Sequence, residues 1–310
     1  MDKKLKILMA ADGSDQSLNA VRYIGGAFSA GRVEVVLFSV RASVPESFLD
    51  LRKEAAFRST MLSISAWESQ TKRDLDAFMS KAKDVLMKAD FPDKAVSIHI
   101  QPKKVGIARD ILQESLNGYD AVVVGRTGIS RIKDFVLGSV ANKLVGKTPH
   151  IPIVVVGGDP SPKKVLVGFD GSEGANRAVS VVSTMIDPAN CSVTLCHVIR
   201  RLNLHLAGEF FFTPDDEHEW VDQAKKDILP QMQAAENRLV NAGFHPSEVF
   251  VQILDEEVSR ASKLVKNATG AGMGTIVVGR RGLSMVEEFV LGRVSTKVLS
   301  MAQNMAVWIA

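Results

Sequence analysis

Short apolar runs, each followed by a longer amphipathic stretch, recur along the 310-residue chain. Residues 5–10 are one such run, closed by Asp12-Gly13. Ser14 then stands where a helix N-cap is expected, and Leu18, Val21, Ile24 and Phe28 follow at helical spacing. Residues 33–40 read as a second strand, 67–88 as a long helix, and Val96, Ile98 and Ile100 alternate as a third strand. A helix over 105–117, an apolar fourth strand at 121–124, a helix after Gly138 and the strand "IPIVVV" complete the set. The order then repeats at 165–169, 193–198, 249–254, 275–278 and the closing "AVWIA". Strands alternating with helices predict parallel sheets covered on both faces, a doubly wound α/β fold.

The words repeat as well as the pattern. "KILMAADGS" at 6–14 returns as "KVLVGFDGS" at 164–172, and "VVVGRTGISRIKDFVLGSV" at 122–140 returns as "IVVGRRGLSMVEEFVLGRV" at 276–294. Of the 21 positions from Gly125 to Val145, ten are identical in the second copy. Repeats this long exceed a solenoid unit and indicate duplicated domains. The glycines and prolines of "GGDPSP", 157–162, read as the linker. The expected domains are 1–158 and 159–310.

The repeated phrase carries candidate chemistry. A buried strand ends at Val124, Gly125 and Gly128 follow in a turn, and Gly138-Ser139 opens a helix ten residues later. Glycines let a ligand approach the backbone closely, and a helix N-terminus offers open N–H groups and partial positive charge to phosphate oxygens. The plain alternative is that Gly128 only turns the chain and Ser139 only caps a helix. Each copy is nevertheless accompanied by an Asp-Gly-Ser after the half's first strand, and open parallel sheets bind ligands at the carboxyl ends of strands. Asp12 then suits a ribose hydroxyl, or a Mg²⁺ bound to phosphates.

These residues, Gly125-x2-Gly128-x9-Gly138-Ser139 with Asp12-Gly13-Ser14, resemble the universal stress protein family in its branch with the G-x2-G-x9-G-(S/T) nucleotide motif. The likeness covers nearly the whole chain as two tandem domains. It implies two five-stranded parallel sheets of order 3-2-1-4-5, an adenine nucleotide alpha hydrolase-like fold, and ATP held between the Asp loop and the glycine motif. On that likeness Asp12 meets ribose or metal and the Val40 backbone meets adenine, while Gly125, Gly128, Gly138 and Ser139 cradle phosphates. Asp170, Val198, Gly279, Gly282 and Gly292 are the matching positions of the second half. It further implies that the domains pair through their fifth strands as an internal pseudo-dimer. The sequence departs from the family where a second hydroxyl is common: Ala141 stands there in the first half, whereas the second half has Ser295 but replaces the first hydroxyl with Arg293. Arg293 meets an unfavourable helix dipole, and either reaches a phosphate or occupies its pocket. The first half is therefore expected to be the main ATP site.

Arg126 joins the cofactor-binding candidates, and with Asp12 it is the nearest approach to the base and cation clamp of a phosphoryl-transfer enzyme. No paired carboxylate or nucleophile–base pair accompanies them, so slow ATP hydrolysis is the most that is expected. No G-x4-G-K-(S/T) is present, and "GAGMG" at 270–274 precedes a strand where a dinucleotide fingerprint would follow one. "FFFTPDDEHEW" at 210–220 reads as a loop entering a helix, a lid or partner-docking segment lacking metal-ligand spacing. Ser130 and Ser284 read as caps of the next helical turn, and His99 as a polar position on strand three.

Composition narrows the class further. A net charge of +3 from 38 basic and 35 acidic side chains carries no block of Lys and Arg, so nucleic acid is not an expected partner. No apolar run reaches eighteen residues, and the opening run is too short for a signal peptide. Cys191 and Cys196 lie in one strand on opposite faces, which suits a reducing cytoplasm. The expected function is a cytoplasmic stress-response protein binding adenine nucleotide, as ATP, ADP or AMP with Mg²⁺. The alternatives are a nucleotide-free scaffold docking a partner protein, and a weak ATPase. Self-association into a homo-oligomer is left open.

Overall fold

The computed structural model describes residues 4–42, 58–128, 137–201, 205–206, 209–210, 213–256, 259–282 and 291–310. The first half runs β1 (Leu5–Ala10), α1 (Asp15–Ala27), β2 (Val33–Arg41), α2 (Arg58–Met87), β3 (Val96–Pro102), α3 (Ile107–Ser115), β4 (Ala121–Gly125), α4 (Ser139–Lys147) and β5 (Ile153–Val156). The second half runs β6 (Lys164–Gly168), α5 (Glu173–Met185), β7 (Ser192–Arg200), two short strands β8 (His205–Leu206) and β9 (Glu209–Phe210), then α6 (Pro214–Asn241) and β10 (Val249–Glu256). It closes with α7 (Arg260–Gly270), β11 (Thr275–Val278), α8 (Arg293–Met301) and β12 (Ala306–Ile309).

Local chemistry sets several of these boundaries. The Ser14 hydroxyl accepts the Ser17 N–H at 3.2 Å and starts α1, whose buried positions include Leu18, Val21 and Ile24. Ser172 does the same for α5 through the Ala175 N–H at 3.1 Å. Helix α6 opens on a capping box between Thr213 and Asp216, with Pro214 at its first turn. That start lies within the expected lid segment, of which residues 211–212 fall outside the described set. His218 in the same segment bonds the Pro214 carbonyl one turn back, and among the described residues no cluster of three metal-ligating side chains exists. Helix α2 begins nine residues earlier than the apolar periodicity indicated; in its first turns Met61 is buried while Ser59, Thr60, Leu62 and Ser63 are exposed, so no apolar stripe marks the start.

Each half has strand order 3-2-1-4-5, and the two are one continuous ten-stranded sheet, β10-β7-β6-β11-β12-β5-β4-β1-β2-β3. The sequence pattern pointed to two sheets; the fifth strands merge them. β12 pairs antiparallel with β5, Trp308 opposite Val154, while every other pairing within the sheet is parallel. Joining these apolar edges leaves β3 and β10 as the outer strands. Edge position explains why Ile98 on β3 is 41% exposed despite its alternation with Val96 and Ile100.

Alternate side chains on each strand feed two cores, one per sheet face. Ile7 and Met9 pack with α1, α2, α5 and α6, whereas Leu8 and Ala10 pack with α3, α4, α7 and α8. Both cores run through both halves. The join itself carries a polar trio: Trp308 Nε1 donates to the Tyr23 hydroxyl at 2.8 Å, which lies 2.8 Å from the Thr275 hydroxyl. All three are buried, and Trp308 stacks on Phe28 at 5.4 Å between ring centroids. No helix among the described residues is long and apolar enough to cross a membrane.

Candidate functional site

At the carboxyl end of β1 the chain turns through Gly13, whose φ of +88° is the left-handed conformation that favours glycine. That turn folds Asp12 back onto the start of α1. Its Oδ1 accepts the Ser14 N–H at 3.0 Å, the Ser14 hydroxyl at 2.6 Å and the Ser17 hydroxyl at 2.5 Å. Three donors on one oxygen fix the orientation of the carboxylate. The Ser17 contact was not read from the sequence, although a serine at the third position of a capped helix is placed for it.

The second oxygen faces the glycine motif. A Cβ on Gly128 would collide with Asp12 Oδ2, and one on Gly125 would lie 3.0 Å from the Gln16 backbone. Neither glycine has positive φ, so each is required for close approach and not for its torsion. Strands β1 and β4 are neighbours, which brings the Asp12 loop and the Gly125–Gly128 turn together. The Gly138 N–H donates to the Arg126 carbonyl at 2.8 Å and pins the start of α4 against this turn. Ser139, the first residue of α4, is exposed there.

The second half repeats the construction. Gly171 has φ +76°, Asp170 Oδ1 accepts the Ser172 N–H at 3.1 Å, and a Cβ on Gly282 would lie 2.6 Å from Asp170 Oδ2. Gly279 abuts the backbone of Gly174, and the Gly292 N–H donates to the Arg280 carbonyl at 2.8 Å. Ala175 stands in the place of Ser17, so Asp170 lacks that hydroxyl. Around these residues lies a cavity of about 760 Å³, in the size range of small-molecule sites. Asp170, Val198, Gly279, Gly282 and Gly292 all line it. Arg293 lines it too and does not fill it, so the altered half keeps open space. Its wall also includes Cys196 and Leu264 on the apolar side and Arg200, Arg260, Arg281 and Lys297 on the cationic side. None of these four cations was read from the sequence.

Val40 and Val198 sit near the carboxyl ends of β2 and β7, next to the Asp-bearing strands, and both are buried. Beside Val198, the His197 Nδ1 donates to the Phe169 carbonyl at 2.8 Å. Burial holds this imidazole below its ordinary 6.5, and Arg260 acts in the same direction.

Two expected ligand residues are committed elsewhere. Arg126 turns away from the turn that bears it and crosses into the other domain. Only 4% exposed, it donates Nη1 to the Leu299 carbonyl at 2.7 Å and Nη2 to the Ala302 carbonyl at 2.8 Å, at the end of α8. Its counterpart Arg280 grips the Val145 and Thr148 carbonyls at the end of α4, the latter at 2.6 Å. A guanidinium fork matches carbonyls left open at a helix C-terminus, where a cation is also favoured by the dipole. The second correction is Ser295. It is 4% exposed and its hydroxyl donates to the Gly279 carbonyl at 2.6 Å, inside the packing between α8 and β11. Ala141, its counterpart, is buried likewise, so this position is part of the core in both halves. Ser130 and Ser284 lie outside the described residues.

The sequence pattern of the universal stress protein family matches residues 5–157 and again 162–307. The universal stress protein YxiE of Bacillus subtilis (strain 168) is 25% identical over 138 residues, 44% of this chain and 90% of that protein. Among solved structures, a universal stress protein from Archaeoglobus fulgidus DSM 4304 superposes with a TM-score of 0.64 at 17% identity, covering 98% of this chain and 97% of that one. A putative universal stress protein from Pseudomonas aeruginosa UCBPP-PA14 gives 0.51 at 14% identity, covering 98% and 92%. At such identities the two structures speak for the fold alone. Two domain-length matches that together span nearly the whole chain carry the assignment: this protein belongs to the universal stress protein family.

Proposed function

We propose that the chain binds an adenine nucleotide at the carboxyl edge of each half-sheet. The carrying observation is the twice-built approach of a fixed aspartate to a glycine turn and a helix N-terminus, in the second half around a 760 Å³ cavity. The phosphates lie toward Gly279, Gly282 and Gly292, or Gly125, Gly128, Gly138 and Ser139, where a side chain on the first two glycines of either motif would collide with the aspartate or the first turn of α1 or α5. Ribose meets Asp12 or Asp170, and the base lies toward Val40 or Val198. Mg²⁺ fits as a passenger on the phosphates: each half offers one carboxylate, and this ion is commonly held by one or two carboxylates plus substrate phosphate. A reducing cytoplasm suits the two buried, free thiols.

The test begins with the purified chain, heat-denatured and the supernatant chromatographed for co-purified nucleotide. Calorimetric titration with ATP, ADP and AMP, with and without Mg²⁺, then measures affinity and stoichiometry. The reading stands if an adenine nucleotide binds and Asp12→Asn or Asp170→Asn weakens it. Absence of bound nucleotide, together with no heat up to millimolar concentration, overturns it.

A further inference from the structure

The two sites differ sharply in charge. Five cations line the second-domain cavity: Arg200, Arg260, Arg281, Arg293 and Lys297. Their first-domain counterparts follow from matched geometry. Ala11 bonds the Phe38 carbonyl as Phe169 bonds that of Cys196, so Arg200 corresponds to Ala42. Arg260 opens α7 as Ile107 opens α3, Arg293 opens α8 as Ser139 opens α4, and Arg281 corresponds to Thr127 between the paired glycines. Only Lys297 meets a like residue, Lys143. At these five positions four positive charges are thus present in the second half and absent from the first.

Two of them stand where the fold resists them. Arg260 and Arg293 each occupy the first residue of a helix, the positive end of its dipole, beside N–H groups that attract anions. None of the five forms an ion pair among the described residues. A bound anion is the natural complement to such an arrangement, and the positions call for two anions. Sheet order places β7 and β11 on either side of β6, the strand that bears the Asp170 loop. Arg281 and Arg293 therefore stand on the β11 side and Arg200 on the β7 side, strands roughly 10 Å apart. Arg260, which follows β10, joins Arg200. The Arg200 backbone is itself held, its carbonyl accepting the Trp220 indole N–H at 3.0 Å.

We propose that the second-domain cavity takes a nucleotide bearing two separate phosphate groups, one on the 5′ side at α8 and a second on the ribose, met by Arg200 and Arg260. This rests on the nucleotide reading above and narrows its ligand class for one half only. The first domain, with Ala42 and Ile107 at the positions of Arg200 and Arg260, takes an ordinary 5′-nucleotide.

The experiment titrates the full chain with two probes of similar total charge, ATP and adenosine 3′,5′-bisphosphate, with inorganic tripolyphosphate as a third. The expected result is one site per chain that prefers the bisphosphate over ATP by about tenfold or more, the size of one charge-assisted hydrogen bond. In Arg200→Ala/Arg260→Ile, which copies the first domain's own residues, bisphosphate affinity falls more than ATP affinity, so that preference is lost, and thermal melting confirms folding. The single variant Arg260→Ile serves if the double variant melts early. ATP binding without any bisphosphate preference, or a preference that survives both variants, overturns the inference and leaves the nucleotide reading standing. Tripolyphosphate competing as well as the bisphosphate also overturns it, the cavity then being a sink for anions. No binding of either nucleotide removes the nucleotide reading and this inference together.

Discussion

Replacing Arg126 by methionine tests the clasp between the domains. Methionine keeps much of the apolar stem and removes the two bonds to the Leu299 and Ala302 carbonyls. Hydrogen bonds to a charged donor contribute roughly 1.5–3 kcal/mol each, so about 3–6 kcal/mol of interaction is lost. Against this, the buried guanidinium is itself unfavourable: burial brings its pKa from 12.5 down to about 10, a cost of about 3 kcal/mol that methionine recovers. The net for Arg126 is a loss of about 0–3 kcal/mol, centred near 1.5 kcal/mol. At roughly 2–4 °C per kcal/mol in chains of this order, Arg126→Met melts about 3–6 °C lower. Arg280→Met should behave alike, and the double variant should show close to the sum, since the two forks share no partner. Arg126→Lys should rescue little, because an ammonium lacks the planar fork that spans two carbonyls. Differential scanning calorimetry reads all four variants against the parent. A double variant that melts at or above the parent would refute the reasoning, showing that desolvation outweighs the bonds.

Other expectations follow from the same geometry. A valine at Gly282 places a branched side chain against Asp170 and should lower nucleotide affinity of the second domain at least about tenfold by calorimetry; Gly128→Val should do so for the first domain, and undiminished binding in either would contradict the proposed pose. His197 is held below 6.5 in the folded chain, so the unfolded chain takes up its proton first as pH falls. Its contribution to stability is full above 6.5 and is lost as pH drops toward the folded pKa; a melting temperature that falls between pH 7 and 5 should fall less in His197→Gln. Burial pushes the Cys191 and Cys196 thiols up to about 12. Both should resist iodoacetamide at pH 8 in the native protein and react fully in denaturant, as mass spectrometry would read.

Much of this architecture is legible in the chain because it rests on local signals. Ser14 before Leu18 and Val21, or Ser172 before Ala175 and Val179, define helix starts without knowledge of the fold. The Asp-Gly-Ser and paired-glycine phrases repeat at almost constant offset, and their meeting follows once β1 and β4 are neighbours. Arg126 could not be placed this way. It follows the first glycine of the repeated motif, and its direction depends on the antiparallel join that lays α8 across its path. Ser295 was decidable: Ser295, Val298 and Leu299 share the buried side of α8, as Ala141, Leu144 and Val145 do in α4. Period 3.6 puts that hydroxyl in the core. The cavity's cations are spread from Arg200 to Lys297, and only sheet order collects them.

The join between the fifth strands bears on how the halves came to differ. Val154 and Trp308 hold the same place in their domains, since Val122 pairs with Ile153 as Ile276 pairs with Val307, and they face each other across the join. They therefore flank the pseudo-twofold axis. In a dimer of identical chains the residue on that axis meets its own copy, so an indole there would have to fit a second indole. One chain carrying both halves escapes self-complementarity. Trp308 lies against valine, and Tyr23 and Thr275 satisfy it, whereas Val181 and Ala121 stand at the corresponding places. Once the axis no longer demands identical partners, each domain can change its own ligand surface without altering the other's.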